Sequence, residues 1–271
     1  MQAKVDYIAI TELPGDRASQ EQLGRLYSRY TFASEYCRDK TVLELACGAG
    51  IGLGCLARFA RRVVGGDIDE NNLRIAIKNY RGRKNISILL LDATCLPFRD
   101  KSFDVVILYD AIYYIEHPER FVREARRVLR EKGLLLISTV NKDWADFNPS
   151  PYRHKYFSAP ELSGLLRGNG FAEASFYGDC PVRTDTMLDM ILSVLKRTAV
   201  AFHIMPGAKE GKEFLKRVFF GKLLPIPAEI EADMNKYSPP VPVASDSPHY
   251  TFKILFAVAR QSPIADQDET P

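Results

Sequence analysis

The residues with the clearest chemical potential lie in one short stretch. Cys47-Gly48-Ala49-Gly50-Ile51-Gly52-Leu53-Gly54 follows an apolar run, Thr41 to Ala46, and precedes a helical pattern through Cys55 to Ala60. Glycines permit positive φ and close main-chain approach, and a helix start offers unpaired N–H groups with partial positive charge, so a ligand is expected at this turn. The dinucleotide fingerprint needs Gly at its first, third and sixth positions, and residue 53 is Leu where helix and strand must pack closely. The phosphate-loop pattern ending in Gly-Lys-Ser/Thr is absent. Further carboxylates, Asp67 and Asp92, stand at the ends of apolar runs, and His154 lies in Ser150-Pro151-Tyr152-Arg153-His154-Lys155-Tyr156.

These residues need a scaffold, and the apolar pattern supplies one. Runs over 41–46, 62–67, 86–91, 103–109 and 133–140 alternate with amphipathic stretches, the rhythm of parallel β-α-β units whose strands are covered on both faces. Asp69 can cap a helix over 70–80, with Leu73, Ala76, Ile77 and Tyr80 on one face and Gly82 as its stop. Pro118 opens a helix whose stripe, Phe121, Val122, Ala125, Val128 and Leu129, runs toward Gly133. Ser158, Pro160 and Glu161 form a capping box before Leu162, Leu165 and Leu166, with Gly168 and Gly170 at the end. Strands over 171–177 and 250–259 complete the pattern. A helical, aromatic-rich stretch over 20–36 is expected to cover the site.

The motif Val42-Leu43-Glu44-Leu45-Ala46-Cys47-Gly48-Ala49-Gly50-Ile51-Gly52 resembles motif I of class I S-adenosylmethionine-dependent methyltransferases. The likeness extends from about Tyr30 to Phe171: Asp67 ends the second strand, Asp92-Ala93 ends the third, and Phe103-Asp104-Val105-Val106 opens the fourth. It implies a Rossmann-like, doubly wound α/β fold: a mostly parallel seven-stranded sheet with an antiparallel last strand and a helical insertion acting as a cap. The expected layout is a cover over 1–40, a core over 41–178, the insertion over 179–248, the last strand over 249–260 and a frayed tail over 261–271. A weaker similarity, to methyltransferases of glycan-biosynthesis clusters, rests on Arg29-Tyr30-Thr31-Phe32-Ala33 and on Asn148-Pro149 to Glu161-Leu162. It bears only on substrate class.

The resemblance implies S-adenosylmethionine as cofactor and assigns residues to its parts. Asp67, 19 residues beyond Gly48, can accept two hydrogen bonds from the ribose diol. Ile68 would pack on adenine, with Asp92 accepting from its amino group and the Ala93 N–H reaching a ring nitrogen. Glu44 and the backbone from Ala46 through Gly48 to Gly50 would meet the methionyl end, with Tyr109 on the same wall. Arg29 and Tyr30 are expected to hold the cofactor carboxylate beneath the cover. A glycine turn alone can close an ordinary connection, and an Asp after a strand is often a helix cap; for Asp69 the cap reading is preferred.

Methyl transfer from a sulfonium is an in-line displacement that needs alignment and no metal. Acceptor-side residues are expected beyond the carboxyl ends of the strands, where Asp110, Tyr113, Tyr114 and Glu116 follow the fourth strand and His154 follows the fifth. Related methyltransferases often place His where Tyr114 stands, which detracts from that loop as the source of a base. His154 is a candidate base for a sugar hydroxyl; the alternative is a loop imidazole holding backbone or substrate without proton transfer.

Composition bounds the rest. The chain has 271 residues, 46% hydrophobic and 26% charged, and 37 Lys plus Arg against 34 Asp plus Glu leave only +3, too little for phosphate neutralisation along a nucleic acid. Tyr109-Asp110-Ala111-Ile112 also lacks the Asn/Asp-Pro-Pro-Tyr tetrad of nucleic-acid methyltransferases. Five cysteines without a CxxC pair point to a reducing compartment, and the N-terminus lacks a leader pattern, so the cytoplasm is expected. Seven cations against Glu210 and Glu213 leave +5 over 196–222, a solvated face or, through 208–221, a membrane-surface contact. Apolar positions over 184–222 suit packing or a homodimer seam. The expected function is methyl transfer to an oxygen, less readily a nitrogen, of a saccharide-type or other small-molecule acceptor. A natural-product or lipid-linked acceptor, or a non-catalytic cofactor-binding partner, are the alternatives.

Overall fold

A computed structural model describes residues 7–182 and 223–261. The basic insertion face, the 208–221 membrane stretch, the homodimer seam over 184–222 and most of the expected frayed tail lie outside the described residues. Among the described residues, no helix is long and apolar enough to cross a membrane.

The core is an eight-stranded sheet. Its parallel half comprises β2 (Thr41–Leu45), β3 (Arg62–Asp67), β4 (Ile86–Leu90), β5 (Phe103–Tyr109) and β6 (Leu129–Val140). Beyond them stand β7 (Glu173–Pro181), β9 (Val241–Val243) and β10 (Phe252–Arg260). The order is β4-β3-β2-β5-β6-β10-β7-β9, and β10 runs antiparallel to both β6 and β7. Chain order reverses between β2 and β5, which opens a crevice at their carboxyl ends. Central strands are buried on both faces, as their nearly continuous apolar sequences require; Val42, Leu43, Leu45, Val106, Ile107 and Leu108 are fully buried.

Helices α2 (Leu53–Ala57), α3 (Glu70–Asn79), α4 (Pro118–Val128) and α5 (Ala159–Gly168) connect the strands, and α1 (Gln20–Ser34) covers the crevice. Asp69 accepts from the Asn71 and Asn72 N–H groups as the cap of α3. Ser158 and Glu161 close the capping box of α5, and Ser19 and Gln22 do the same for α1. A two-stranded pair, β1 (Arg17–Ala18) with β8 (Leu224–Pro225), fastens the chain that returns at residue 223.

The strand count and two boundaries differ from the sequence expectation. The α4 helix stops at Val128, because Leu129 already adopts extended backbone and pairs with Phe103. Register then slips so that Val105 faces Leu134, and Gly133 fills the irregularity where a Cβ would lie 2.7 Å from the Arg130 carbonyl. The sheet also holds the chain as far as Pro181, beyond the expected insertion start at 179. An eighth strand, β9, comes from the Pro-rich connection; as an edge strand it can spare the N–H that Pro242 lacks.

Candidate functional site

The glycine-rich turn is built by positive φ angles. Ala46, Gly48 and Gly50 take φ of 53°, 56° and 77°, which folds the chain back under its own carbonyls. A Cβ on Gly50 would lie 2.8 Å from Ala76 of α3, and Tyr80 locks the turn by donating to the Gly50 carbonyl (2.8 Å) and accepting from the Gly54 N–H (3.1 Å). Leu53, the residue that breaks the dinucleotide fingerprint, has its small partner on the opposite element. A Cβ on Gly65 of β3 would sit 2.7 Å from both Leu53 methyls, so close helix-strand packing is kept with the bulk exchanged between elements. Gly52 serves the cover: a Cβ there would fall within 2 Å of the Tyr30 ring.

A cavity of about 510 Å³ opens over this turn at the carboxyl ends of the strands. Its wall carries Ala46, Gly48, Asp67, Ile68, Asp92, Ala93, Tyr109, Asp110, Tyr113, Tyr114, His154, Arg29 and Tyr30. Of the residues singled out from the sequence, Glu44 and Gly50 stand behind that wall. Glu44 faces the cover, accepting from the Tyr30 hydroxyl at 2.6 Å, and Gly50 is enclosed by α3.

Asp67 is placed at the tip of β3 with its charge engaged. Its Oδ2 accepts the Gly48 N–H at 2.8 Å and its Oδ1 the Asp69 N–H at 2.9 Å, so this carboxylate joins strand, turn and helix cap. Burial pushes its pKa up, opposed by those two N–H groups. Each oxygen keeps a lone pair for a ligand. Asp92 is exposed at the next strand end and accepts from the Thr94 N–H and hydroxyl, which fixes the loop beneath the cavity. Ile68, 53% exposed, presents an unpacked apolar face beside Asp67.

The opposite wall is an ionic network. Arg29 of α1 is nearly buried and pairs with Asp110, and with Glu12 at 3.0 Å. Asp110, with φ at 49°, accepts the Ser138 hydroxyl on its second oxygen (3.0 Å) and donates its N–H to the Ser138 carbonyl. The Arg29 ion pair and the Ser138 bond anchor this carboxylate, which fits a positioning role better than proton transfer. Tyr113 stacks on Tyr156 at 4.5 Å, and burial raises its phenol pKa well above the ordinary value. The His154 N–H donates to the Tyr113 carbonyl at 2.8 Å, which sets the loop after β6 against the one after β5.

Sequence reasoning missed one side of the cavity. Tyr7, Ile10, Thr11 and Glu12 close it from the N-terminal side, and Asn72 lies between them and the turn. The Asn72 amide donates to the Thr11 hydroxyl at 3.0 Å, and a Cβ on Gly48 would meet the Thr11 methyl at 2.9 Å. No motif marks residues 7–12. A polar Asn on the buried face of α3 was the available signal.

Three buried polar atoms on the wall, Arg29 Nε, Asn72 Oδ1 and the Tyr109 hydroxyl, have no partner among the described residues. A ligand bearing both donors and acceptors fits them, whereas an apolar one would leave each stranded at a cost of about 1–3 kcal/mol.

Comparisons with known proteins agree with this geometry. Residues 43–137 match the family model described as a methyltransferase domain. A protein of Mycobacterium tuberculosis named as a probable S-adenosylmethionine-dependent methyltransferase is 35% identical over 149 residues, covering 52% of this chain and 52% of that protein. A Mycobacterium ulcerans protein, phthiotriol/phenolphthiotriol dimycocerosates methyltransferase 1, is 38% identical over 123 residues, 42% of this chain and 45% of that one. The chain thus spans about half the length of the curated relatives it matches. Among solved structures, a Thermotoga maritima protein titled SAM-dependent methyltransferase, possible histamine N-methyltransferase, superposes with TM-score 0.57 at 16% identity, covering 89% of this chain and 92% of that one. The cyclase SpnF superposes with TM-score 0.58 at 20% identity, covering 95% and 90%, so the shared fold does not by itself fix the reaction. Residues 43–137, which carry the glycine turn and the strand-tip carboxylate, are thus similar to the methyltransferase-domain family.

Proposed function

We propose that the chain is an S-adenosylmethionine-dependent methyltransferase that moves a methyl group to an oxygen, less readily a nitrogen, of a saccharide-type or other small-molecule acceptor. The observation that carries this reading is the convergence of the Gly48 turn, Asp67, Asp92 and the 109–114 loop on one cavity. Bound there, the cofactor supplies a methyl group already activated on a sulfonium.

What the chain adds is positioning. Asp67 is set to accept from the ribose hydroxyls, the Gly48 and Ala49 backbone to flank the amino-acid end, and Ile68 and Ala93 to border adenine. Arg29 has its charge engaged by Glu12 and Asp110, so it offers the methionyl end chiefly its Nε–H, beside the Tyr109 hydroxyl. Tyr113, Tyr114 and His154 border the acceptor side. Alignment of nucleophile, carbon and sulfur can supply roughly 7–11 kcal/mol of the barrier reduction, more than a base usually adds.

A lipid-linked acceptor is a second reading. It is favoured by the Mycobacterium ulcerans relative's name and by the apolar wall residues Leu26, Val140 and Ile254. One assay separates the readings: S-adenosylhomocysteine formation, with mass spectrometry of the product, across hydroxylated glycans, amines and lipid-linked alcohols. Failure of wild-type protein to bind S-adenosylhomocysteine would overturn the proposal.

A further inference from the structure

Resting on the methyl-transfer reading, we infer that His117, oriented by Glu119, is the base that accepts the proton of a hydroxyl acceptor. His117 lines the same cavity as Asp67 and Tyr109, at the mouth where the loop after β5 turns into α4. It occupies the N-cap of that helix and forms no side-chain capping bond, with Pro118 following. An Asp, Ser or Asn there would satisfy a helix-end N–H and stabilise the start by about 1 kcal/mol, so the fold gives no reason for imidazole. A local rule broken at a cavity mouth is where function is expected.

The ring has an orienting partner. His117 Nδ1 lies 3.6 Å from Glu119 Oε1, just beyond hydrogen-bond reach, and a small side-chain rotation would bring the carboxylate onto Nδ1 and leave Nε2 to the substrate. His154, the other imidazole on the wall, is fixed only through its backbone N–H; its side chain has no hydrogen-bond or ion-pair partner among the described residues. The other titratable groups at this mouth are Asp110, held by Arg29 and Ser138, the phenols Tyr113 and Tyr114, whose pKa values burial raises, and Glu116. Imidazole is the side chain best matched to proton transfer near neutral pH. His117 takes the hydroxyl proton at Nε2 as the oxygen bonds to the methyl carbon and the carbon–sulfur electron pair passes to sulfur. The ring, 51% exposed, then gives the proton to water.

The test compares His117→Gln, His154→Gln and Glu119→Gln with the hydroxyl acceptor found by the panel assay, alongside S-adenosylhomocysteine calorimetry and ¹⁵N NMR of the imidazoles. His117→Gln should lower kcat about 10²–10³-fold with cofactor affinity within about twofold. His154→Gln should act mainly on KM. Wild-type His117 should show the Nδ1–H tautomer, and Glu119→Gln should lose that preference along with about tenfold in kcat. Wild-type kcat in His117→Gln, or an Nε2–H tautomer indifferent to Glu119, overturns the assignment alone. Absence of S-adenosylhomocysteine binding by the wild type overturns the methyl-transfer reading and this role with it.

Discussion

Tyr30 donates its phenolic hydrogen to Glu44 Oε1 across 2.6 Å, joining the covering helix to the strand that feeds the glycine turn. Both groups are buried, and the second Glu44 oxygen has no partner. Burial pushes the Glu44 carboxyl up to about 7, against the opposing pull of Tyr30 and Arg29.

That shift has a sign. Between the unfolded pKa near 4.5 and the folded value of about 7, the native state binds the extra proton, so stability is full below that window and falls as pH rises through it. The effect is on the order of 3 kcal/mol. Urea midpoints measured at pH 5 and pH 8 should fall more for wild type than for Glu44→Gln, which removes this titration; equal slopes would refute the shift.

Asp67 ties together the Gly48 N–H and the Asp69 N–H. Asp67→Asn sets an amide NH₂ against one of those donors and removes the charge, so S-adenosylhomocysteine affinity should drop about 10–100-fold. Calorimetry decides it, and unchanged affinity would remove Asp67 from the cofactor site.

The N-terminal wall should affect release. Glu12 reaches Arg29 at 3.0 Å from a partly exposed position, an interaction worth about 1 kcal/mol or less. Glu12→Gln is expected to speed S-adenosylhomocysteine dissociation by up to about fivefold in stopped-flow displacement. A rate equal to wild type would show that residues 7–12 do not retain the ligand.

Leu53 and Gly65 should behave as a coupled pair. Gly65→Ala drives a methyl into the Leu53 side chain and should cost about 1–3 kcal/mol, and Leu53→Ala alone about 2–5 kcal/mol. The double variant should cost less than the two together, read from denaturant midpoints. Simple additivity would mean that the two residues do not share the space.

These couplings explain what could be read from sequence and what could not. β3 and β5 were legible because doubly covered strands need nearly continuous apolar runs, and α3 and α5 because their caps are local hydrogen-bond patterns. The placement of Asp67, Asp92 and the 109–114 loop followed from strand ends. The purpose of Gly52 was hidden, since it answers to Tyr30, a residue on another element. Glu44 reads as a ligand residue until the cover supplies its hydroxyl partner. Residues 7–12 were invisible because their bonds reach across the chain to Asn72 and Arg29, and β9 because Val-Pro-Val is a strand only beside β7.

The chain at 223–230 is stapled to the core by contacts of its own. β8 zips to β1, the Ile230 amide caps the Ile51 carbonyl, and Glu229 clasps Arg58 at 3.0 Å and Arg83 at 3.1 Å, over a Gly54 that leaves it room. A short strand, a backbone bond and a two-pronged carboxylate thus splint the outer side of the glycine turn with a segment distant in sequence.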